Sequence, residues 1–233
     1  MNPDSYLSDV NSAYKLGIAT ELFDGRMPDL TQEIIIQMEN STGLNFLPIK
    51  NLEGNVCMAN NREVRPEFRQ NFSALDILNY MCAILYSTSF RLPVNNAFET
   101  KFKYPKDADF FWILAELGAE IKEIHSLKKI KDTDSFFEFC NSGNAVITNP
   151  HFEIFISSEK NLGCVYINEK QYFKNVSESV WTFTIQNHQP AQKWLDQRLG
   201  QKLNSDDINY YKKILCALSE TERLIQKIDA VLF

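Results

Sequence analysis

Residues 145–185 of the 233-residue chain read AVITNPHFEIFISSEKNLGCVYINEKQYFKNVSESVWTFTI. This stretch contains short runs of β-branched and aromatic residues, which favour strands. The runs are Ala145–Thr148, Phe152–Ile156, Cys164–Ile167 and Trp181–Ile185. Glycine, proline and asparagine separate them, and the last run alternates with period two, as a half-buried strand does. We therefore predict a small, mainly antiparallel sheet in this part of the chain.

Helical patterns lie on both sides of the predicted sheet. Each pattern begins at a residue typical of helix starts and continues with apolar residues three or four positions apart. The starting residues are Asp29, Ser73, Asp107, Pro190 and Ser205. The last helix is long, from 205 to about 230. Helices, then a small sheet, then helices predict an α+β fold, in which helices flank the sheet and a long helix ends the chain.

Composition excludes several classes of protein. With 44% hydrophobic residues the chain can bury a real core, and no apolar run approaches the ~20 residues of a membrane span. Its eight glycines are scattered, so a glycine-rich phosphate loop and a dinucleotide fingerprint are absent. The five cysteines form no C-x-x-C pair. We expect reduced thiols, a cytoplasmic location, no signal peptide, no metal site, no catalytic residues and no cofactor.

Charge is distributed unevenly along the sequence. The net charge is −6, which argues against nonspecific nucleic-acid binding over the whole surface. Residues 160–202, however, contain six basic residues and three acidic ones. Within them, Lys170–Lys174 and Gln186–Gln189 are loops rich in cations and amides, the side chains that contact phosphates and base edges. A purely structural role for both loops remains an alternative.

Residues Asn149–Phe152 offer a second interpretation. The order Asn, Pro, His, Phe is similar to the Asn-Pro-Pro-Phe signature of DNA amino-methyltransferases, whose aromatic residue stacks on a flipped base. That chemistry also needs S-adenosylmethionine on a glycine-rich turn, which this sequence lacks. We favour a turn between two strands here.

Several motifs in the right order give the chain a family resemblance. Val165–Phe173 is similar to the element V-Y-I-N-x-x-Q-Y-F of the C-terminal specificity domain in Type ISP restriction-modification enzymes and their single-chain relatives. Further similar segments are Asp76–Ser87, Phe111–Gly118, Val180–Ile185, Lys193–Leu203, Asp207–Tyr211, Ala217–Thr221 and Ile228–Asp229. Tyr86 and Gln186–His188 depart from the family pattern. The resemblance covers roughly 73–230, and residues 1–72 match only loosely.

The resemblance implies a sequence-specific DNA target-recognition domain without catalysis of its own. It divides the chain into an N-terminal helical and irregular part, 1–72, and a specificity domain, 73–233. The implied partners are double-stranded DNA and the methyltransferase and helicase or nuclease regions of the same enzyme or of neighbouring subunits, in bacterial defence. No membrane is involved.

Candidate DNA-contacting residues follow from charge and amide chemistry. Cations expected to contact phosphates are Lys170, Lys174, Arg198 and Lys202; candidate base readers are Gln171, Gln186, Asn187, Gln189, Arg62, Arg65 and Arg69. Two alternatives stay open: a protein–protein interaction module that does not bind DNA, and a remnant adenine-specific methyltransferase that uses Asn149–Phe152.

Overall fold

A computed structural model gives the fold. It describes residues 32–47, 70–91, 103–127, 130, 136–140, 143–154, 162–184 and 189–233. Contacts divide the chain into two compact units. The described residues of the first lie within Glu123–Arg223, and those of the second lie within Arg26–Lys122 and Leu224–Phe233.

The helices and strands alternate along the described chain as follows. They are α1 (Gln32–Thr42), β1 (Asn45–Leu47), β2 (Asn71–Ser73), α2 (Ala74–Tyr86), α3 (Thr88–Arg91), α4 (Ala108–His125), β3 (Phe139–Cys140), β4 (His151–Ile154), β5 (Leu162–Tyr166), β6 (Tyr172–Ser177), α5 (Glu178–Thr182), α6 (Pro190–Asp196) and α7 (Ser205–Leu232). The predicted α+β class, with a small antiparallel sheet and a long C-terminal helix, is confirmed.

An antiparallel four-stranded sheet, in the order β3-β6-β5-β4, is the centre of the first unit. Successive side chains of a strand point to opposite faces, so Val165 and Phe173 lie together on the inner face, and both are fully buried. Phe173 packs on Tyr211 of α7, with ring centroids 4.7 Å apart. The inner face of the sheet therefore forms one core with the C-terminal helix.

The predicted strand at 181–185 is wrong over its described residues, 181–184. Residues Glu178–Thr182 instead form helix α5, because the Ser177 side chain accepts a hydrogen bond from the backbone N–H of Val180 at 3.2 Å and caps the helix. The short helix buries Val180 and Trp181. Local capping and burial outweigh the β propensity of the Trp-Thr-Phe-Thr run.

The residue before helix α7, Asn204, forms its N-terminal cap. Asn204 Oδ1 accepts from the N–H of Asp207 at 2.9 Å, and Asp207 Oδ2 accepts from the N–H of Asn204 at 3.0 Å. Asn204, and not the predicted Ser205, is therefore the capping residue. Within the first unit the helix buries Tyr211, whose hydroxyl donates to the carbonyl of Ala191 at 3.1 Å.

The second unit joins a two-stranded parallel sheet, β1-β2, to α1, α2 and α4. Helix α2 starts after Ser73, as predicted, with a capping box in which Ser73 and Asp76 bond each other's backbone N–H. Gly118 of α4 faces Asn79 of α2, and a Cβ at this position would overlap the Asn79 carbonyl oxygen. Asp229 of α7 accepts from both the N–H and the hydroxyl of Thr88, which fixes the start of α3.

In the part of the chain that the structure describes, every helix is too short or too polar to cross a membrane.

Buried His125 makes the first unit sensitive to acid. Its Nε2–H donates to Thr221 Oγ1 at 2.8 Å, because the Thr221 hydroxyl itself donates to the Ala217 carbonyl. Burial lowers the pKa of His125 from 6.5 to about 4. His125 therefore takes up a proton more readily in the unfolded chain than in the folded one. Its contribution to the free energy of unfolding is highest above pH 6.5 and decreases as the pH falls from 6.5 towards 4.

We expect His125→Gln, which keeps an N–H donor for Thr221, to weaken the pH dependence of stability. Between pH 7 and pH 5 the wild-type chain should lose about 2 kcal/mol more unfolding free energy than the variant. Urea unfolding at the two pH values measures this difference. Equal losses in both proteins would contradict the assignment.

Candidate nucleic-acid interface

Two amide side chains hold the turn between β5 and β6. Asn168 Oδ1 accepts from the backbone N–H groups of Lys170 and Gln171 at 3.0 and 2.9 Å. Its Nδ2 donates to the Val146 carbonyl at 2.9 Å and to Gln171 Oε1 at 3.1 Å. An asparagine that bonds the backbone two residues ahead is a frequent turn former. The turn is thus fixed in shape and attached to the segment around Val146.

Gln171 is buried with 0% exposure, and its Oε1 also accepts from the N–H of Ala145 at 2.6 Å. Gly143 leaves room for it, since a Cβ there would lie 2.7 Å from Oε1. A side chain enclosed in this way cannot reach a base edge. The prediction that Gln171 reads bases is therefore wrong, because its amide satisfies a buried backbone group instead.

The segment around Val146 pairs in turn with the chain that follows α6. Val146 and Lys202 form an antiparallel bridge. On either side, the N–H of Leu203 donates to the Ala145 carbonyl at 2.9 Å, and the N–H of Gly200 donates to the Ile147 carbonyl at 2.7 Å. Lys170 and Lys202 thus lie on segments that both bond to Ala145–Ile147. Both lysines are exposed, and within the described chain neither forms an ion pair.

Lys174 lies on strand β6, not on a loop as predicted. Its Nζ is 3.8 Å from Glu138 Oε2, and the backbone N–H of Lys174 donates to the Glu138 carbonyl at 2.8 Å. The acidic neighbour offsets part of the lysine's charge. Lys174 remains a candidate phosphate contact, but a weaker one than Lys170 or Lys202.

Arg198 and Gln189 are both held by tryptophan residues. The guanidinium of Arg198 lies 3.9 Å from the ring centroid of Trp194, and Nη1 donates to the Trp194 carbonyl at 3.1 Å. Gln189 precedes α6, and its Nε2 donates to the Trp181 carbonyl at 3.5 Å. Both side chains are half-buried. The other predicted candidates, Gln186, Asn187, Arg62, Arg65 and Arg69, lie outside the described residues.

Asn149 and Pro150 lie in an irregular segment that leads into β4, and His151 and Phe152 belong to the strand itself, so the predicted turn between two strands is not seen here. The Asn149 N–H donates to the Ile167 carbonyl at 3.2 Å, and β4 begins at His151. The ring of Phe152 packs on Trp181, nearly parallel at 6.3 Å. Within the described ranges no group of three or more His, Cys, Asp or Glu side chains could hold a metal ion.

The sequence analysis missed a row of rings on the outer face of the sheet. We call His151, Tyr166 and Tyr172 the aromatic row. Cross-strand register pairs His151 with Tyr166, whose rings stack at 5.0 Å and 9°, and Tyr166 with Tyr172, at 4.9 Å and 45°. The sequence did contain a signal for this row. Side chains of a strand alternate between the two faces of the sheet, so Tyr166 lies on the face away from its buried neighbours Val165 and Ile167.

Partial burial and nearby charge act on these hydroxyls. Burial, and then the carboxylate of Glu153, raises the pKa of Tyr166. A side-chain hydrogen bond with Cys140 is the main cause that raises the pKa of Tyr172. Both tyrosines therefore stay neutral at physiological pH.

Comparison with known proteins gives one family match. The family described as "Type ISP C-terminal specificity domain" matches residues 12–227. A search of curated proteins finds no match.

Two solved structures are similar to the chain, each with a TM-score of 0.45. One is a nuclease-deletion mutant of the Type ISP restriction-modification enzyme LlaGI in complex with a DNA substrate mimic, 15% identical over 66% of this chain. The other is the ATP-dependent Type ISP enzyme LlaBIII bound to DNA, 13% identical over 71% of this chain. The matched regions span only 16% and 12% of those two chains.

We expect Gln171→Leu to destabilise the fold by about 1–3 kcal/mol, because the N–H of Ala145 loses its acceptor inside the protein. Gln201→Leu is the matched control, since the Gln201 side chain is exposed and should change stability by less than about 0.5 kcal/mol. Denaturant unfolding compares the two. An equal, small effect of both substitutions would contradict the structural role of Gln171.

Proposed function

The chain belongs to the Type ISP C-terminal specificity domain family, and from this we propose that it recognises the DNA target of a restriction-modification enzyme. It has no catalytic activity of its own in this proposal. Methylation and cleavage are carried out by other regions of the same enzyme or by neighbouring subunits. The observation that carries the proposal is the pair of exposed lysines, Lys170 and Lys202, on two hydrogen-bonded segments.

These two lysines suit contact with the DNA backbone. Phosphate contacts set the position and register of a protein on a duplex, and unpaired surface lysines make them at little desolvation cost. The Asn168 bonds and the Val146–Lys202 bridge hold the two backbones in fixed places. Each flexible lysine side chain is thus attached to a backbone that hydrogen bonds hold in place, which supports a defined register of the protein on the duplex.

We propose that amide and arginine side chains read the bases. Gln189 is the candidate base reader among the described residues, since its amide bond to the Trp181 carbonyl is long. Arg198 stacks on Trp194 through one face of its guanidinium, and we propose it as a phosphate contact. Gln186, Asn187, Arg62, Arg65 and Arg69 remain proposed contacts, and each good bidentate pair would discriminate by about 1–3 kcal/mol.

The remaining features of the proposal concern the surrounding enzyme. The partners are double-stranded DNA and the methyltransferase and helicase or nuclease regions of a restriction-modification system in the cytoplasm. We retain 1–72 and 73–233 as the proposed N-terminal part and specificity domain. Because the rest of the enzyme supplies further phosphate contacts, the isolated chain should bind weakly, with Kd no tighter than about 10⁻⁴–10⁻⁶ M at physiological salt.

A protein-interaction module is the second candidate. The net charge of −6 favours it, because an acidic surface repels the phosphates of a duplex at long range. Complete absence of binding to random duplexes at low salt would support this candidate over DNA recognition.

We expect Lys170→Gln with Lys202→Gln to weaken binding to a random duplex and to make it less sensitive to salt. Removal of two phosphate contacts should lower the slope of log affinity against log salt by about 2. Fluorescence anisotropy across a salt series measures the slope. Lys227→Gln, an exposed lysine on α7 outside the proposed interface, is the control and should leave the slope unchanged. Binding that the double variant and the control affect equally would contradict the assigned contacts.

A further inference from the structure

The loop between α6 and α7 contains a turn that is closed by its own hydrogen bond. The N–H of Gln201 donates to the Arg198 carbonyl at 2.9 Å and closes a four-residue turn. Gly200, the third residue of the turn, has a φ of 79°, a conformation that glycine adopts readily. A Cβ at Gly200 would meet no atom of the described chain within 4 Å apart from its neighbours in sequence. This part of the turn therefore faces open space.

The same turn is joined to the segment around Val146 by a β-bulge. The Ile147 carbonyl accepts from the N–H of Gly200 at 2.7 Å, and the N–H of Ile147 donates to the Gln201 carbonyl at 3.0 Å. Two residues of the turn thus lie opposite one residue, and the first of them is a glycine with positive φ, as in a common type of bulge. Because both backbone groups of Gln201 are bonded, the position from which its side chain starts is well defined.

The Gln201 side chain differs from the amides described above because both of its ends are available. Asn168 and Gln171 use their amide oxygens on backbone N–H groups, and Gln189 uses its amide nitrogen on the Trp181 carbonyl. The Gln201 side chain is exposed and forms no hydrogen bond with the described part of the chain. A bidentate contact needs a free donor and a free acceptor, because adenine presents an acceptor at N7 and a donor at N6 in the major groove.

The neighbours of Gln201 suit a base pair of adenine with thymine. Leu199, in the same turn, is 52% exposed, and thymine presents a methyl group beside the polar edge of adenine. Lys202 directly follows Gln201, and its exposed side chain can contact an adjoining phosphate. The closest acidic residues in sequence, Asp196 and Asp206, lie beyond the two ends of the loop, in α6 and α7. The loop itself thus offers an amide, an apolar group and cations.

We propose that Gln201 reads an adenine of the DNA target through N6 and N7 in the major groove. The inference rests on the proposed function and adds a specificity-determining residue to it. A hydrogen bond to a neutral base edge needs correct geometry and not a large positive charge. It is therefore compatible with the net charge of −6 and with Glu169, which is exposed beside Lys170 on the neighbouring turn.

The test measures binding of the full chain to two duplexes of equal length by fluorescence anisotropy at low salt. Both duplexes alternate adenine and thymine. In one of them 7-deazaadenine replaces adenine, which removes the N7 acceptor and keeps base pairing. The wild-type chain should bind the adenine duplex about fivefold more tightly than the 7-deazaadenine duplex. Equal affinity for the two duplexes would overturn the proposal, and this comparison requires no substitution.

Variants then assign the preference for adenine to one side chain. Gln201→Leu should abolish the preference, because it removes both amide groups. Gln201→Glu, which keeps the shape but offers no donor to N7, should abolish it as well. Gln197→Leu is the matched control, since it removes an exposed amide directly after Asp196, outside the bulge, and should keep the preference. A preference that survives in both Gln201 variants, or is lost in the control, would contradict the assignment.

Binding to a random duplex is measured in the same series. No duplex binding by the wild-type chain at low salt would overturn the proposed function and this inference with it. Duplex binding that depends on Lys170 and Lys202 but does not distinguish adenine from 7-deazaadenine would overturn the inference alone.

Discussion

One buried amide oxygen holds together the part of the molecule that carries the candidate interface. Oε1 of Gln171 accepts from the N–H of Ala145 and from Nδ2 of Asn168 in an enclosed site. A buried acceptor with two donors fixes both of them, because each would be costly to leave unpaired. Through Asn168 it sets the β5–β6 turn, and through Ala145 it sets the segment that pairs with Lys202. The places of both exposed lysines depend on this oxygen.

The residues that carry the family resemblance are mainly scaffold. In Val165–Phe173, the residues Val165, Ile167, Gln171 and Phe173 are completely buried. Gly118 permits close approach to Asn79, and Asp229 bonds the first residue of α3. Such residues specify a shape that many target sequences can share. Resemblance therefore identifies the kind of domain, while under the proposed function the side chains that select a DNA sequence would belong to loops between these positions.

Local chemistry made much of the fold predictable. Capping groups at Ser73 and Asp107 start helices where expected, and Gly43 ends α1 with a positive φ. Helix α5 at Glu178–Thr182 was not predictable in this way, because the Trp-Thr-Phe-Thr run favours a strand although Ser177 can cap a helix. Capping requires only adjacent residues, whereas that choice depends on what Trp181 packs against.

The site was less predictable for a related reason. Composition identifies cations and amides, but it does not say which of them are already bonded. Gln171 points inward, Glu138 reaches Lys174 from the residue before β3, which is far away in sequence but pairs with β6, and Trp194 supports Arg198. The sequence shows that Tyr166 and Tyr172 lie on the opposite face of the sheet from their neighbours Val165 and Phe173. The alternation alone does not show which of the two faces is buried and which is exposed.

Charge limits how strongly the candidate interface could attract DNA. Among the predicted cations that the structure describes, Lys174 lies close to Glu138, whereas Lys170 and Lys202 form no ion pair with a described carboxylate, although exposed Glu169 directly precedes Lys170. Two lysine–phosphate contacts on a chain of net charge −6 would make DNA affinity depend only weakly on salt concentration. Electrostatic attraction alone would therefore bind the domain weakly to any duplex.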